Sequence, residues 1–216
     1  MASALINGLL QQGYLAKQLH VVEINAESRE KIKDIFGVSA LADLESGVID
    51  TDVIVLSVKP QHLHDLTQQL SPFLKRQLII SIVAGIRVGD IARWLGGYLR
   101  IVRTMPNTPS SIQCGVTGLY AAASVSEEDR KIAESILTAV GLTLWVEDEE
   151  MLHAVTAISG SGPAYVFYFI ESLQKAAAAL GLSPEEAKQL SLQTFVGASK
   201  LASLSDNDIA ILRAQV

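Results

Sequence analysis

Three short apolar runs in this chain each end abruptly at polar, glycine or proline residues. They cover residues 53–56, 78–83 and 99–104, and they stop at Ser57-Val58-Lys59-Pro60, Ala84-Gly85 and Met105-Pro106-Asn107. Short apolar runs between helical patterns are typical of buried parallel strands. Ligands bind such a sheet at the carboxyl ends of its strands. The pattern therefore predicts a pocket where these three runs end.

The rest of the first two thirds of the chain continues the alternation of strand and helix. Further strands are predicted over 19–24 and 142–146, helices over 2–13, 27–36, 60–74, 88–95 and 126–140, and a short helix or loop over 43–48. Ser126 is the expected N-cap of its helix, with acidic residues in the first turn. After Asp148 only helical periodicity remains, with breaks at Gly160, Gly162-Pro163, Gly181 and Ser183-Pro184. This order predicts an α/β fold, a doubly wound parallel sheet over 1–147 followed by an all-helical domain over 148–216.

Composition narrows the class of ligand and the compartment. The 216 residues are 49% hydrophobic, enough for a substantial core, and carry a net charge of -6 without a run of Lys or Arg. That balance argues against nucleic acid or an anionic membrane as partner and favours a small molecule. Cys114 is the single cysteine, which excludes a disulfide framework and fits a cytoplasmic protein. We find no signal peptide and no apolar stretch long enough to span a bilayer.

Three polar side chains are candidates for nucleotide binding. Glu23 ends the second predicted element, where a dinucleotide-binding fold places an acid against the adenosine ribose; a solvated charge at a strand end is the alternative. Lys59 follows a buried strand and precedes a helix start, a place for phosphate or ribose, or simply a surface lysine. Asn107 lies between Pro106 and the Thr108-Pro109 pair, which fix its backbone; it either presents its amide to a ligand or bonds within its own turn.

A second unusual segment, Ser159-Gly160-Ser161-Gly162-Pro163, interrupts apolar helical stretches just after the predicted domain change. Its main-chain amides, at the start of the following helix, are candidates for binding a carboxylate, and a plain interhelical turn is the alternative. No metal site is predicted: His62 and His64, two apart on a helix, point to different sides.

Several runs occur together in an order that resembles the pyrroline-5-carboxylate reductase family over the whole length of the chain. The runs are Leu56-Ser57-Val58-Lys59-Pro60, Arg103-Thr104-Met105-Pro106-Asn107-Thr108-Pro109, Trp145-Val146-Glu147-Asp148-Glu149 and Ala157-Ile158-Ser159-Gly160-Ser161-Gly162-Pro163-Ala164-Tyr165. Each motif alone is weak, and the ordered set is highly specific.

The resemblance implies a Rossmann-type domain, an all-helical dimerisation domain, and an enzyme that reduces 1-pyrroline-5-carboxylate to L-proline with NADPH or NADH, the last step of proline biosynthesis. It implies a homodimer or a higher homo-oligomer. Cofactor-binding positions are expected at Met1, Glu23, Asn25, Ser57, Val58, Lys59, Pro60, Ala84, Met105 and Asn107. Substrate-binding positions are expected at Ser159, Gly160, Ser161, Gly162 and Asp206.

The resemblance also bears on cofactor choice and on catalysis. An acid at Glu23 would repel the 2′-phosphate of NADPH, so NADH is expected to be tolerated or preferred. A protonated cyclic imine is already electrophilic, so no catalytic side chain is assigned. By the same resemblance, a strand and a glycine-rich phosphate turn are expected before Met1, and a Ser-Pro-Gly-Gly-Thr-type loop is expected after Val216.

Two other classes of function stay open at this point. One is a related imine or 3-hydroxyacid reductase, which usually has a catalytic lysine on the helix after the domain junction; here the only lysine of that helix, Lys175, lies far along it. The other is a non-catalytic dinucleotide-binding protein whose helical half serves only for association.

Overall fold

The computed structural model describes residues 1–216. The chain divides into two compact units, Met1–Ser161 and Gly162–Val216. The first is an α/β unit and the second is helical, in agreement with the predicted α/β fold followed by helices. The domain boundary at 147/148 stays a prediction.

The first unit contains seven strands: β1 His20–Val22, β2 Ser39–Leu41, β3 Val53–Leu56, β4 Leu78–Ser81, β5 Ile101–Met105, β6 Gly115–Ala121 and β7 Gly141–Trp145. The strands β3 to β7 form a five-stranded sheet in sequence order, and β1 and β2 form a separate parallel pair. The pairs β3–β4, β4–β5 and β6–β7 are parallel. Strands β4 and β5 are buried almost throughout, as expected for strands covered on both faces.

Neighbouring strands of the sheet are parallel except for the pair β5–β6, so that both β6 and β7 run opposite to β3, β4 and β5. Strand β6 runs antiparallel to β5, with Thr104 opposite Leu119 and Met105 opposite Gly118. The sequence pattern did not predict β6, since its glycines Gly115 and Gly118 and the preceding prolines resemble a loop. Gly118 is required because a Cβ there would lie 2.7 Å from Cγ1 of Val155, which packs over the strand.

The helices of the first unit are α1 Ala2–Gln11, α2 Ala26–Phe36, α3 Leu44–Val48, α4 Pro60–Leu70, α5 Val88–Trp94, α6 Glu127–Thr138 and α7 Met151–Val155. Short 3₁₀ turns cover Ala16–Gln18, Ser71–Phe73 and Thr108–Ile112, and a π-helical turn covers Thr156–Gly160. Ser126 caps α6 by accepting the Asp129 N–H at 3.1 Å, which confirms the predicted cap. Helix α4 ends before residue 74 because Pro72 cannot continue its hydrogen-bond pattern.

The core lies between the five-stranded sheet and its helices. Fully buried side chains from both layers meet there, among them Leu56, Leu63, Leu70, Ile79, Ile80, Ile91, Ile101, Leu119 and Leu137. Arg103 and Glu149 brace the sheet: Oε1 of Glu149 accepts hydrogen bonds from Nη1 of Arg103 at 2.8 Å and from the N–H of Val88 at 2.7 Å. The bond to Val88 ties the first turn of α5 to the segment before α7.

The second unit contains α8 Gly162–Ala179, α9 Pro184–Leu204 and α10 Ile209–Ala214. Ser183 and Glu186 form a capping box at the start of α9. Helix α8 buries no residue within the chain, and its aromatic side chains are largely exposed: Tyr165, Phe167, Tyr168 and Phe169. None of the helices has the length and apolarity that crossing a membrane requires.

Candidate functional site

A cavity of about 530 Å³ opens at the carboxyl edge of the five-stranded sheet. It lies where β4 and β5 end and where α1 begins, the position at which open α/β sheets bind ligands. Its lining residues are Met1, Ala4, Ile82, Ala84, Met105, Pro106, Asn107, Thr108, Ser111 and Gly160. Five of them, Met1, Ala84, Met105, Asn107 and Gly160, are predicted site residues.

The side chain of Asn107 is held at both of its polar ends. Nδ2 donates to the main-chain oxygen of Ser159 at 3.1 Å, and Oδ1 accepts the N–H of Val116 at 3.0 Å. Asn107 is only 9% exposed and lines the cavity. Its amide therefore fixes the cavity wall, and one Nδ2 hydrogen remains beyond these two bonds.

Met105 and Gly160 lie close together in the wall of the cavity. A Cβ at Gly160 would lie 2.8 Å from Cε of Met105, so any larger residue would displace the methionine. Glycine at this position lets the π-helical turn lie against the end of β5. Met105, a predicted cofactor-binding residue, and Gly160, a predicted substrate-binding residue, thus meet in one place.

The segment around Ser159 is helical, where an open turn was the alternative considered. Residues Thr156–Gly160 form a π-helical turn, a rare feature that is often found at functional sites. The Ser159 hydroxyl donates to the Val155 carbonyl at 2.9 Å, and the Ser161 N–H donates to the Thr156 carbonyl at 2.8 Å. These intrahelical bonds occupy two groups that the sequence suggested for ligand binding.

Glu23 follows β1 and lies in a loop that is stabilised by its own hydrogen bonds. Its Oε1 accepts the N–H of Asn25 at 2.8 Å, while Nη1 of Arg29 donates to the carbonyls of Glu23 at 2.8 Å and Ile24 at 2.9 Å. The side chain of Asn25 caps α2 by accepting the Ser28 N–H at 2.9 Å. The second carboxylate oxygen of Glu23 accepts no hydrogen bond from the chain. Neither Glu23 nor Asn25 lines the cavity.

The remaining predicted residues of the first unit also lie outside the cavity lining. Pro60 is the first residue of α4 and Lys59 precedes it as N-cap, so the predicted helix start is confirmed and Lys59 is exposed. Ser57 is exposed and Val58 is half-buried at the end of β3. Their contact with a cofactor stays a prediction, as does that of Ser161 with substrate.

Two predicted residues, Gly162 and Asp206, belong to the second unit. Gly162 opens α8, and Asp206 lies between α9 and α10. A second cavity, of about 550 Å³, runs along α9 and contains neither of them. Its lining combines two leucines, two glutamines and Thr194 with a single charged side chain, Glu186.

Sequence reasoning missed half of the cavity lining. The missed residues are Ala4, Ile82, Pro106, Thr108 and Ser111. A usable signal existed for two of them, since Pro106 and Thr108 flank Asn107 in the motif already singled out. Ala4 and Ser111 lie one helical turn from Met1 and Asn107 respectively, and only the tertiary fold selects them.

Comparison with known proteins shows which family the chain belongs to. Residues 149–216 match the family model for pyrroline-5-carboxylate reductase dimerisation, and residues 1–85 match a model described as NADP oxidoreductase, coenzyme F420-dependent. A pyrroline-5-carboxylate reductase of Pseudomonas aeruginosa is 45% identical over 217 residues, covering 100% of this chain and 80% of that protein. The chain belongs to the pyrroline-5-carboxylate reductase family.

Solved structures of the family share the fold in detail. A pyrroline-5-carboxylate reductase from Coxiella burnetii superposes with a TM-score of 0.93 at 39% identity, covering 99% of this chain and 80% of that one. The Plasmodium falciparum enzyme, whose structure has NADP bound, gives a TM-score of 0.87 at 30% identity over 99% of this chain and 79% of that one. The predicted family and fold class are therefore confirmed.

Proposed function

We propose that this protein reduces 1-pyrroline-5-carboxylate to L-proline with a reduced nicotinamide cofactor. The observation that carries the proposal is the meeting of Met105, Asn107 and Gly160 at one cavity on the carboxyl edge of the sheet. A bound reduced nicotinamide supplies a hydride to the imine carbon. The protein must hold that carbon at transfer distance and favour the protonated imine, so no strong base is needed.

The cavity residues suit these tasks. Ile82 and Met105 offer apolar surface for a flat ring, while Thr108 and Ser111 offer hydroxyl groups at the same wall. The remaining Nδ2 hydrogen of Asn107 is a donor for a carboxamide oxygen. Because the π-helical turn is fixed through the Ser159 carbonyl, the substrate side and the cofactor side of the cavity are held in one geometry.

We assign the adenosine end of the cofactor to the Glu23 loop. The free carboxylate oxygen of Glu23 is suited to a ribose hydroxyl, and its negative charge would repel a 2′-phosphate. Lys59, with Ser57, Val58 and Pro60, is assigned to the nucleotide between this loop and the cavity. Met1, at the start of α1, is assigned to the pyrophosphate because a helix N-terminus favours anions.

The finer statements about assembly and compartment belong to the same proposal. The dimerisation match over 149–216 supports a homo-oligomer, and we propose a homodimer as its smallest form. A single cysteine and an acidic composition support a cytoplasmic enzyme. Ser159, Gly160, Ser161, Gly162 and Asp206 are proposed to face the substrate.

The test is a direct assay of the purified protein with 1-pyrroline-5-carboxylate and either NADH or NADPH. We expect the nicotinamide absorbance to fall in proportion to the proline that forms. The alternative reductases would act on an acyclic imine or a 3-hydroxyacid and leave 1-pyrroline-5-carboxylate unchanged. A non-catalytic protein would quench nicotinamide fluorescence on binding and form no product. Either of these results overturns the proposal.

A further inference from the structure

The edge strand β7 has one covered face. On that face Thr143 lies 3.3 Å from Glu134 of α6, measured between Oγ1 and Oε1, and the guanidinium of Arg130 lies 5.0 Å above the ring of Trp145. Helix α6 thus covers the side of β7 to which these two residues point. Because side chains alternate along a strand, Leu142 and Leu144 point to the opposite side.

On the opposite face, β7 presents two leucines. Leu142 is 75% exposed and Leu144 is 57% exposed. They pair with Val116 and Gly118 of β6, and a Cβ at Gly118 would lie within 3.2 Å of Leu152 and Val155 of α7. Helix α7 therefore covers the neighbouring strand on this face and leaves Leu142 and Leu144, the β7 leucine pair, uncovered.

An uncovered apolar pair on an edge strand requires an explanation. Sheets of α/β proteins are covered on both faces, and exposed apolar edge strands promote association. A single exposed leucine would be unremarkable, whereas two on the same face of an edge strand form a patch. Nothing in the first unit supplies a helix for it.

The helical segment offers the matching surface. The match to pyrroline-5-carboxylate reductase dimerisation begins at residue 149, directly after β7 ends at Trp145. Helices α8 and α9 expose many apolar side chains, among them Phe167, Phe169, Leu190, Val196 and Leu201. A second copy of this chain brings a second set of these helices, so the two apolar surfaces are available to each other.

We propose that the β7 leucine pair is a docking surface for the helical unit of a second copy of this chain. The dimer interface then includes the α/β unit as well as the helices that the family model covers. By two-fold symmetry each dimer contains this contact twice. The inference goes beyond the reductase activity, and its tests do not depend on turnover.

The first test replaces both leucines by lysine, L142K together with L144K, and measures the dimer dissociation constant by sedimentation. We expect the dissociation constant to rise at least about 100-fold, because four leucines lose their burial in each dimer. The matched control is I35K, which adds a charge at a 69% exposed apolar residue of α2. The control should leave the constant within about threefold. An unchanged constant for the double variant overturns the proposal.

A second test uses the unmodified protein, so it does not depend on how a variant folds. Hydroxyl-radical footprinting measures how fast each side chain is oxidised as the protein is diluted. We expect Leu142 and Leu144 to be protected at high concentration and to reach the rate of Ile35 in the monomer. Protection that does not change with dilution means that the chain's own helices cover the pair, and rapid oxidation at all concentrations means that nothing does. Both results overturn the proposal.

Discussion

The carboxamide of Asn107 joins the end of β5 to the main-chain oxygen of Ser159, 52 residues further along the chain, through a 3.1 Å hydrogen bond. The same side chain accepts the N–H of Val116 at the start of β6. One residue therefore holds three segments around the cavity. Its loss should affect both stability and turnover, and the two effects can be separated.

Replacement of Asn107 by Leu should lower the free energy of unfolding by about 1–3 kcal/mol, because two partly buried main-chain groups lose their partner. We expect kcat/KM for 1-pyrroline-5-carboxylate to fall by more than about 10-fold. The matched control is Thr104→Val on β5, which removes the buried 3.1 Å bond to the Ser81 carbonyl and does not line the cavity. It should lose comparable stability and keep kcat/KM within about twofold. Equal losses of activity in both variants would reduce Asn107 to a structural brace.

Cofactor preference should depend on the carboxylate of Glu23. Glu23→Ser removes a negative charge that opposes a 2′-phosphate, so the ratio of kcat/KM for NADPH over NADH should rise by about 10-fold or more. Glu27→Ser is the control. Glu27 is an exposed acid in the first turn of α2, close to Glu23 in sequence, and its carboxylate pairs with Lys31 at 2.7 Å. A similar rise in both variants would mean that only net charge matters, and no rise at all would remove Glu23 from the ribose site.

Acid should weaken the protein partly through the pair of Asp129 and Arg100. Asp129 is buried and accepts two hydrogen bonds from the guanidinium, at 2.8 and 2.5 Å. This bond to Arg100 is the main reason why the pKa of Asp129 lies below its ordinary value of 3.8. A lowered folded-state pKa stabilises the fold above the ordinary value, and that stability is lost as the pH falls through the lowered one.

Asp129→Asn tests this pH dependence. We expect the variant to be about 2–3 kcal/mol less stable at neutral pH, somewhat less than for a fully buried pair because the Arg100 side chain is 35% exposed. The deficit should shrink as the pH falls below 3.8, and it should vanish once the pH has passed the lowered pKa of Asp129, where the folded protein also loses the charged pair. Denaturant titrations from neutral to acidic pH measure it. A deficit that is constant with pH would contradict the assignment.

The close approach of α1 and α6 makes Gly8 a sensitive position. A Cβ on Gly8 would collide with the main-chain oxygen of Ala139, which cannot move aside as a side chain would. Gly8→Ala should therefore cost about 2 kcal/mol and displace α1, whose first residues line the cavity. Weaker cofactor binding should accompany the lower melting temperature. Gly89→Ala, with open space around its Cβ, should be neutral or slightly stabilising.

Much of the α/β unit could be predicted because its strands are continuous apolar runs. The runs at 53–56, 78–83 and 99–104 correspond to β3, β4 and β5, with boundaries shifted by at most two residues. Strand β2 has only three residues, too few to show a periodic pattern of apolar and polar positions. Strand β6 was missed because Gly115 and Gly118 are there for close packing, against Ser110 and Val155, and glycine otherwise indicates a loop.

The site could be predicted only in part, for a similar reason. Met105 and Asn107 stand at the end of an apolar run, so their position follows from the sheet alone. Ala4 and Ile82 carry no chemistry and line the cavity only because the chain folds them there. The partners of the Asn107 amide, Ser159 and Val116, are fixed by long-range packing that local pattern does not encode.

The reversed direction of β6 explains why the cavity wall needs so little chain. A parallel β6 would begin at the far edge of the sheet, and a crossover of a dozen or more residues would have to carry the backbone there. Because β6 is antiparallel to β5, residues 106–114 connect the two strands at the edge where β5 ends. The amide of Val116 therefore lies within hydrogen-bond distance of Asn107. The topology of one strand thus supplies a preassembled rim, which the enzyme does not have to order when its ligands arrive.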